Sequence, residues 1–193
     1  MNTKALAVKA GAVLGDLIAK RVFGTRPLTL SGYSLGSLVI FEALRYLAAQ
    51  VPASHTLGLI QDVFLFGTPV STNKKAWASV RRVVAGRLVN GYSTDDYVLA
   101  VLSRASDLNW QVAGLGPVDE VMGVENVLCE HVDGHTAWRG MIGKSLQQVG
   151  APGIIAEQVE VQMNTVAKPM QKEMEMTQEE ADEVLRKGRS NEF

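Results

Sequence analysis

Arg26-Pro27-Leu28-Thr29-Leu30-Ser31-Gly32-Tyr33-Ser34-Leu35-Gly36 is the stretch whose reading decides the fold. Leu28 to Leu30 is a short apolar run, Gly32 to Gly36 reads Gly-x-Ser-x-Gly, and the apolar segment Ser37 to Ala49 follows at once. Strand, sharp turn and buried helix, in that order, are the context in which this motif presents a nucleophile. The turn is tight enough to hold Ser34 in a strained conformation. Gly32 and Gly36 are expected to be glycine because a Cβ at either would collide. Such a turn lifts the Ser34 hydroxyl clear of the sheet. The Leu35 N–H opens the helix and points to where an oxyanion would develop. The plain alternative is a glycine-bearing turn that happens to contain a serine.

On the N-terminal side, residues 4–23 read as an amphipathic helix. Leu6, Ala10, Val13, Leu14, Leu17 and Ile18 share one face, which is expected to cover the sheet. Gly24 ends this helix and Pro27 marks the start of the strand. On the C-terminal side, the helix after Ser34 is apolar nearly all round, hence buried. Gly58 to Phe66 is the second expected strand. Its run Val63-Phe64-Leu65-Phe66 suits a strand covered on both faces, as in a parallel sheet. After the loop Gly67-Thr68-Pro69-Val70, Lys74 to Ala85 reads as a helix with Trp77, Val80, Val83 and Val84 inward. Its Lys74, Lys75, Arg81 and Arg82 form a solvated face or, alternatively, a site for phosphate or acidic lipid.

Arg87 to Tyr92 and Asn126 to Cys129 are the third and fourth expected strands. Residues 103–125 between them are looser and punctuated by glycine. Leu108 to Met122 reads either as a lid or acyl-binding wall or as a surface connection with a few core anchors. Asp133-Gly134-His135 leads into a last helix spaced by Trp138, Met141, Ile142, Leu146 and Val149. Residues 1–150 therefore form one domain. From Ala151 the composition turns to Gln, Glu, Lys and Met, which predicts a mobile charged tail, 151–193, with a short helix at Gln178 to Lys187. The alternative is a partner-binding helix, for which Met163, Met170, Met174 and Met176 offer a soft surface.

The composition narrows the function classes. A chain of 193 residues is one domain as a prior, and 47% hydrophobic with 20% charged is ordinary for a globular protein. Nineteen basic against twenty acidic residues, net −1, predict neither nucleic acid nor an electrostatic membrane patch. The single cysteine, Cys129, excludes an internal disulfide framework and fits a reducing compartment. No apolar run reaches the roughly 18 to 20 residues of a membrane span. Ala5 to Ala19 comes closest, but Lys9 and Asp16 interrupt it, which also argues against a secretory signal. With no His/Cys/carboxylate cluster at ligand spacing and no Gly-x-x-x-x-Gly-Lys loop, no metal, nucleotide or other cofactor is expected.

Alternating strands and helices predict an α/β fold with a parallel sheet flanked by helices. Ligands of such sheets bind beyond the carboxyl ends of the strands. A serine hydroxyl needs a base within hydrogen-bonding reach, and the base needs a carboxylate to hold its tautomer and stabilise its charge. In the strand–turn–helix context of Ser34 the chain order is serine, acid, histidine. Asp95 and Asp96 follow the third strand, and either also suits a turn or helix cap. Of the three histidines, His55 lies at the wrong end of the sheet, and His131, two residues past Cys129, is close enough to the fourth strand to be read as its end or as the loop after it. His135, in a glycine-containing loop beyond that strand, is preferred as the base, against the plain reading of a surface residue at a helix N-terminus. Asp133 lies on the wrong strand for the acid.

The chain resembles the transmembrane and coiled-coil domain-containing protein 4 family, whose fungal relatives include a membrane-inserting lipase. The stretch Arg26 to Gly36 carries the resemblance, with Leu65-Phe66-Gly67-Thr68-Pro69-Val70 and Gly86-Arg87-Leu88-Val89-Asn90-Gly91-Tyr92-Ser93-Thr94-Asp95-Asp96-Tyr97-Val98-Leu99. Val112-Ala113-Gly114-Leu115-Gly116-Pro117-Val118 and Val132-Asp133-Gly134-His135 complete it. The match covers about residues 5–150. It implies a partial α/β-hydrolase fold whose early strands lie ahead of this region, so that the chain is the C-terminal part of a longer protein or a short isoform. The family's second oxyanion donor lies ahead of this region too. The last aspartate of the family's Tyr-Ser-x-x-Asp stretch falls on Asp96, and its closing histidine on His135.

The resemblance implies a serine esterase or lipase acting on lipid or other esters, with Ser34 as nucleophile, Asp96 and His135 as its partners, and Leu35 as oxyanion donor. It also implies a full-length protein that is membrane-associated through other segments and faces the cytosol. The alternative is an inactive module of the same fold that docks a protein partner or a membrane.

Overall fold

The computed structural model describes residues 3–50, 55–96, 98–100 and 111–165. Helix α1 (Thr3–Ala19) precedes strand β1 (Leu28–Tyr33), helix α2 (Leu35–Ala48), strand β2 (Ile60–Phe66) and helix α3 (Lys74–Arg81). Strands β3 (Leu88–Tyr92) and β4 (Val124–Leu128) follow, and then a 3-10 turn (His135–Ala137) runs directly into helix α4 (Trp138–Gln148). The four strands form one sheet in the order β1-β2-β3-β4, all parallel. This is the α/β architecture expected, a parallel sheet flanked by helices.

The unbroken apolar run of β2 has a direct cause. Side chains alternate between the faces of a strand. Val63 and Leu65 pack with Leu38, Phe41, Leu44, Leu47, Trp77 and Val80 from α2 and α3. Phe64 and Phe66 turn the other way, onto Val132 and Trp138 beneath α4. Both faces are covered, so neither set of positions tolerates polarity. Trp77 anchors the first core fully buried, its ring 4.9 Å from that of Phe41 and its Nε1 donating to Ser71 O at 3.0 Å. On the far side of the sheet Arg87 forks onto Glu125 across β3 and β4 (Nη2–Oε2 2.7 Å) and donates to Val149 O at 2.7 Å.

Several expectations are corrected. The face of α1 read as buried is only partly so: Ile18 is buried and Leu14 packs on the core as expected, but Leu6 and Val13 are 42% and 60% exposed, while Ala7, Gly11 and Gly15, outside that face, are buried. The reason is close helix packing. α1 lies on α2 rather than on the sheet, and a Cβ at Gly11 would stand 2.5 Å from Glu42 Cβ. Helix α3 ends at Arg81 rather than Ala85, because Val84 leaves it to bridge Ile60 beside β2. Lys74, at the start of its basic face, pairs with Glu120 at 2.8 Å, both exposed.

Of the loose stretch 103–125, residues 103–110 lie outside the described residues. The remainder is anchored. Val112 bridges Ser71, and Ala113, Val118 and Val121 are buried. Asn126 holds Val118 by both its backbone N–H (2.8 Å) and its carbonyl (3.0 Å), and Asn90 Nδ2 donates to Asn126 Oδ1 and Gly116 O. Met122 is the large apolar side chain of the described part that projects, 95% exposed. After α4, residues 156–165 are helical and Val159 is buried, a Cβ at Gly143 of α4 falling 3.3 Å from it. Residues 166–193, with the expected helix at Gln178 to Lys187 and Met170, Met174 and Met176, lie outside the described residues.

Candidate active site

Three loops at the carboxyl edge of the sheet meet. Ser34 follows β1 directly, Asp96 lies four residues beyond β3, and His135 lies in the connection from β4 to α4. Ser34 has φ 50° and ψ −127°, a conformation that costs a non-glycine residue on the order of 1–3 kcal/mol. Neighbouring hydrogen bonds hold it there. Its N–H donates to Phe66 O at 2.9 Å, and its carbonyl accepts from Leu38 N (3.2 Å) and from the Ser37 hydroxyl. The two motif glycines differ. A Cβ at Gly32 would stand 2.8 Å from Ile40 Cδ1 and 3.0 Å from the backbone of Gly36 and Ser37, so the strand can pass the helix only there as glycine. A Cβ at Gly36 would meet nothing within 4 Å, which corrects the expectation of a collision.

Ser34 Oγ lies 2.8 Å from His135 Nε2, and His135 Nδ1 lies 2.8 Å from Asp96 Oδ2. An ionised carboxylate only accepts, so Nδ1 carries the proton and Nε2 is left to accept from the serine hydroxyl. Asp96 is fully buried and His135 is 24% exposed. Both oxygens of the carboxylate are held by donors: Oδ1 accepts from Leu99 N at 2.9 Å, and Oδ2 also accepts from Trp138 Nε1 at 3.1 Å. Asp96 O accepts from Ala100 N at 3.0 Å, so the residue caps the helical turn 98–100 as well. Asp95, its competitor in the sequence, is exposed, and its N–H donates to Ser93 Oγ.

Leu35 is the first residue of α2, and Leu38 N is bonded to Ser34 O. The amides of the first turn therefore sit at the open, positive end of the helix, beside Ser34 Oγ.

The remaining candidates are placed elsewhere. His131 Nε2 lies 2.9 Å from Ser145 Oγ, and burial, then Lys144, hold its pKa below the usual histidine value. His55 and Asp133 are exposed. Cys129 is buried, and burial pushes its thiol up to about 11, away from nucleophilic chemistry. Among the described residues no group of three or more His, Cys, Asp or Glu stands at metal-binding distance, and no helix is long and apolar enough to cross a membrane.

Trp138 and Leu99 are the site neighbours that sequence reasoning missed. Trp138 reads there only as a core position of the last helix. The available signal is its spacing, three residues after His135 across a short turn, together with an indole N–H that needs a partner when buried.

The chain is 41% identical over 158 residues to "Probable lipase MIL1" of Saccharomyces cerevisiae, covering 81% of this chain and 14% of that one. It is 47% identical over 131 residues to "Transmembrane and coiled-coil domain-containing protein STS1" of Oryza sativa subsp. japonica, covering 67% and 19%. It is 37% identical over 171 residues to "Uncharacterized membrane protein C6F6.13c" of Schizosaccharomyces pombe, covering 88% and 21%. The chain thus spans only 14% to 21% of the length of these relatives. No solved structure matches it. The family model that matches does so over residues 2–152, from α1 through the serine turn to the end of α4, and the chain belongs to that family, described as "Protein of unknown function (DUF726)".

Proposed function

We propose that this region carries the catalytic groups of a serine hydrolase of the α/β-hydrolase type, an esterase or lipase acting on lipid esters. The observation that carries the reading is the continuous chain Ser34 Oγ–His135 Nε2 (2.8 Å) and His135 Nδ1–Asp96 Oδ2 (2.8 Å), ending on a strained serine. Ser34 Oγ attacks the ester carbonyl while His135 Nε2 takes its proton. The imidazolium so formed is stabilised by the buried Asp96 carboxylate. The Leu35 N–H, at the open end of α2, donates to the tetrahedral oxyanion. His135 then protonates the departing alkoxide, and water repeats the cycle on the acyl-Ser34 ester. The name "Probable lipase MIL1" supports a lipid substrate, and the membrane-protein names of other relatives support membrane association of the whole protein.

A fluorophosphonate probe on the full-length protein is expected to label Ser34, and Ser34→Ala to abolish both labelling and ester hydrolysis. Absence of labelling, with Ser34→Ala hydrolysing every ester tried as fast as wild type, would refute the reading.

A docking module is the second reading. Its support is the outer edge of β1, which has no partner strand among the described residues, and the exposed Leu6 and Val13 of α1. Partner capture that survives Ser34→Ala in a protein without hydrolytic activity would favour it.

A further inference from the structure

We propose that Trp138 is a positioning residue of this site: its indole N–H pins the carboxylate oxygen that orients His135. The inference rests on the serine-hydrolase reading above.

Asp96 Oδ2 receives two donors, His135 Nδ1 at 2.8 Å and Trp138 Nε1 at 3.1 Å. Its other oxygen receives Leu99 N at 2.9 Å. The torsion that turns a carboxylate plane is soft, with a broad well. In a site with no exposure at Asp96, no solvent shell holds that plane. Leu99 fixes one oxygen and Trp138 fixes the other. With both in place, the lone pair facing Nδ1 has one direction, and the imidazole follows it.

The backbone explains how two rings reach one atom. His135 to Ala137 is a 3-10 turn, and Trp138 is the residue that leaves it. In a 3-10 turn, side chains three apart eclipse. His135 and Trp138 therefore project on the same side and converge on Oδ2. Continuing the α-helix back through His135 would swing the two apart by about 60°, from its 3.6 residues per turn.

The indole is also held from behind. It is fully buried, its ring 5.9 Å from that of Phe66. Gly67, at φ 52°, leaves the space it occupies, since a Cβ there would stand 2.6 Å from Trp138 Nε1. A buried indole N–H generally finds some acceptor, and Trp77 takes a backbone carbonyl, Ser71 O. Trp138 instead takes the oxygen on which His135 depends, which makes its N–H part of the site's geometry and not only of the core.

The test removes one group and keeps the ring. In the full-length protein, Trp138 is replaced by 3-benzothienylalanine, which carries sulfur in place of the N–H, and in parallel Trp138→Phe is prepared. The maximal rate of fluorophosphonate inactivation is expected to fall roughly 10- to 100-fold, the loss expected of a catalytic group left slightly misplaced. The half-saturating probe concentration is expected to stay unchanged. Wild-type inactivation kinetics in the isostere would overturn the proposal, as would a loss confined to probe affinity.

Proton NMR decides the matter independently of turnover. The Trp138 indole proton is expected to move upfield in Asp96→Asn, and the His135 Nδ1 proton to shift in the benzothienyl protein. Should wild type fail to label, the hydrolase reading falls. Positioning by Trp138 is then overturned only if these two resonances stay put.

Discussion

Gly67→Ala is expected to damage stability and the candidate site together, because the two share one point of contact. The added Cβ would stand 2.6 Å from Trp138 Nε1, 2.9 Å from its Cε2 and 3.2 Å from its Cδ1. Ordinary contact begins near 3.5 Å, so the overlap is roughly 1 Å. Trp138 is fully buried and cannot yield by rotating into solvent. Forcing a methyl into such packing costs about 1–3 kcal/mol. Alanine at φ 52° adds about 1–2 kcal/mol of left-handed strain. The sum, about 2–5 kcal/mol, is a large part of a small domain's stability. Urea unfolding followed by tryptophan fluorescence should show a midpoint lowered by roughly 1–2 M.

Fluorophosphonate labelling of Ser34 should slow in the same variant, since the displaced indole leaves Asp96 Oδ2. A double-mutant cycle separates the two costs: in a Trp138→Phe background, which removes the clashing edge of the indole, Gly67→Ala should retain only the strain. A midpoint within about 0.3 M of wild type, well under the smallest shift calculated above, would refute the reasoning, as would equal costs in the two backgrounds.

The other glycine of interest behaves oppositely. Gly36→Ala, in the first turn of α2 with no atom within 4 Å of the added Cβ, should leave stability unchanged or raise it by up to about 1 kcal/mol, measured by the same urea titration. Asp96→Asn keeps a good helix cap for the turn 98–100 and should fold, but kcat on an ester should fall on the order of 10⁴-fold because the histidine tautomer is no longer enforced. A kcat within tenfold of wild type would remove Asp96 from the mechanism.

Cys129 yields a pH prediction with a definite sign. Its folded pKa is raised from 9.0 to about 11, so the stability it confers is complete below pH 9 and is lost as pH rises towards 11. At about 1.4 kcal/mol per unit the loss approaches about 3 kcal/mol. Wild type should therefore lose stability over that window relative to Cys129→Ala, and parallel curves would refute the assignment.

Much of this protein is readable from periodicity and order alone. The run Val63 to Phe66 announces a strand covered on both faces, and the structure divides those four side chains between two cores. Gly32 to Gly36, placed between an apolar run and a buried helix, marks the turn, and Ser34 does stand there at φ 50°. The order serine, aspartate, histidine after successive parallel strands brings these residues to one edge, because each follows the carboxyl end of its own strand. These are local or topological properties, and they survive without knowledge of any distance.

What the sequence does not contain is which face meets which. The stripe of Leu6 and Val13 outweighs Ala7, Gly11 and Gly15 in hydrophobicity, yet the small residues are buried, with Ile18, because only they let α1 approach α2 closely. The choice between neighbouring Asp95 and Asp96 is of the same kind, one carboxylate exposed and the other without exposure. Trp138 reads as core by spacing, and only the 3-10 turn before it aims its N–H at Asp96. Sequence by itself determined the parallel sheet, the strained serine turn and the chain order of the groups around it, because those follow from hydrophobic period and connectivity. Tertiary structure decided the partners, because close approach and hydrogen-bond direction depend on gaps of an ångström that no period records.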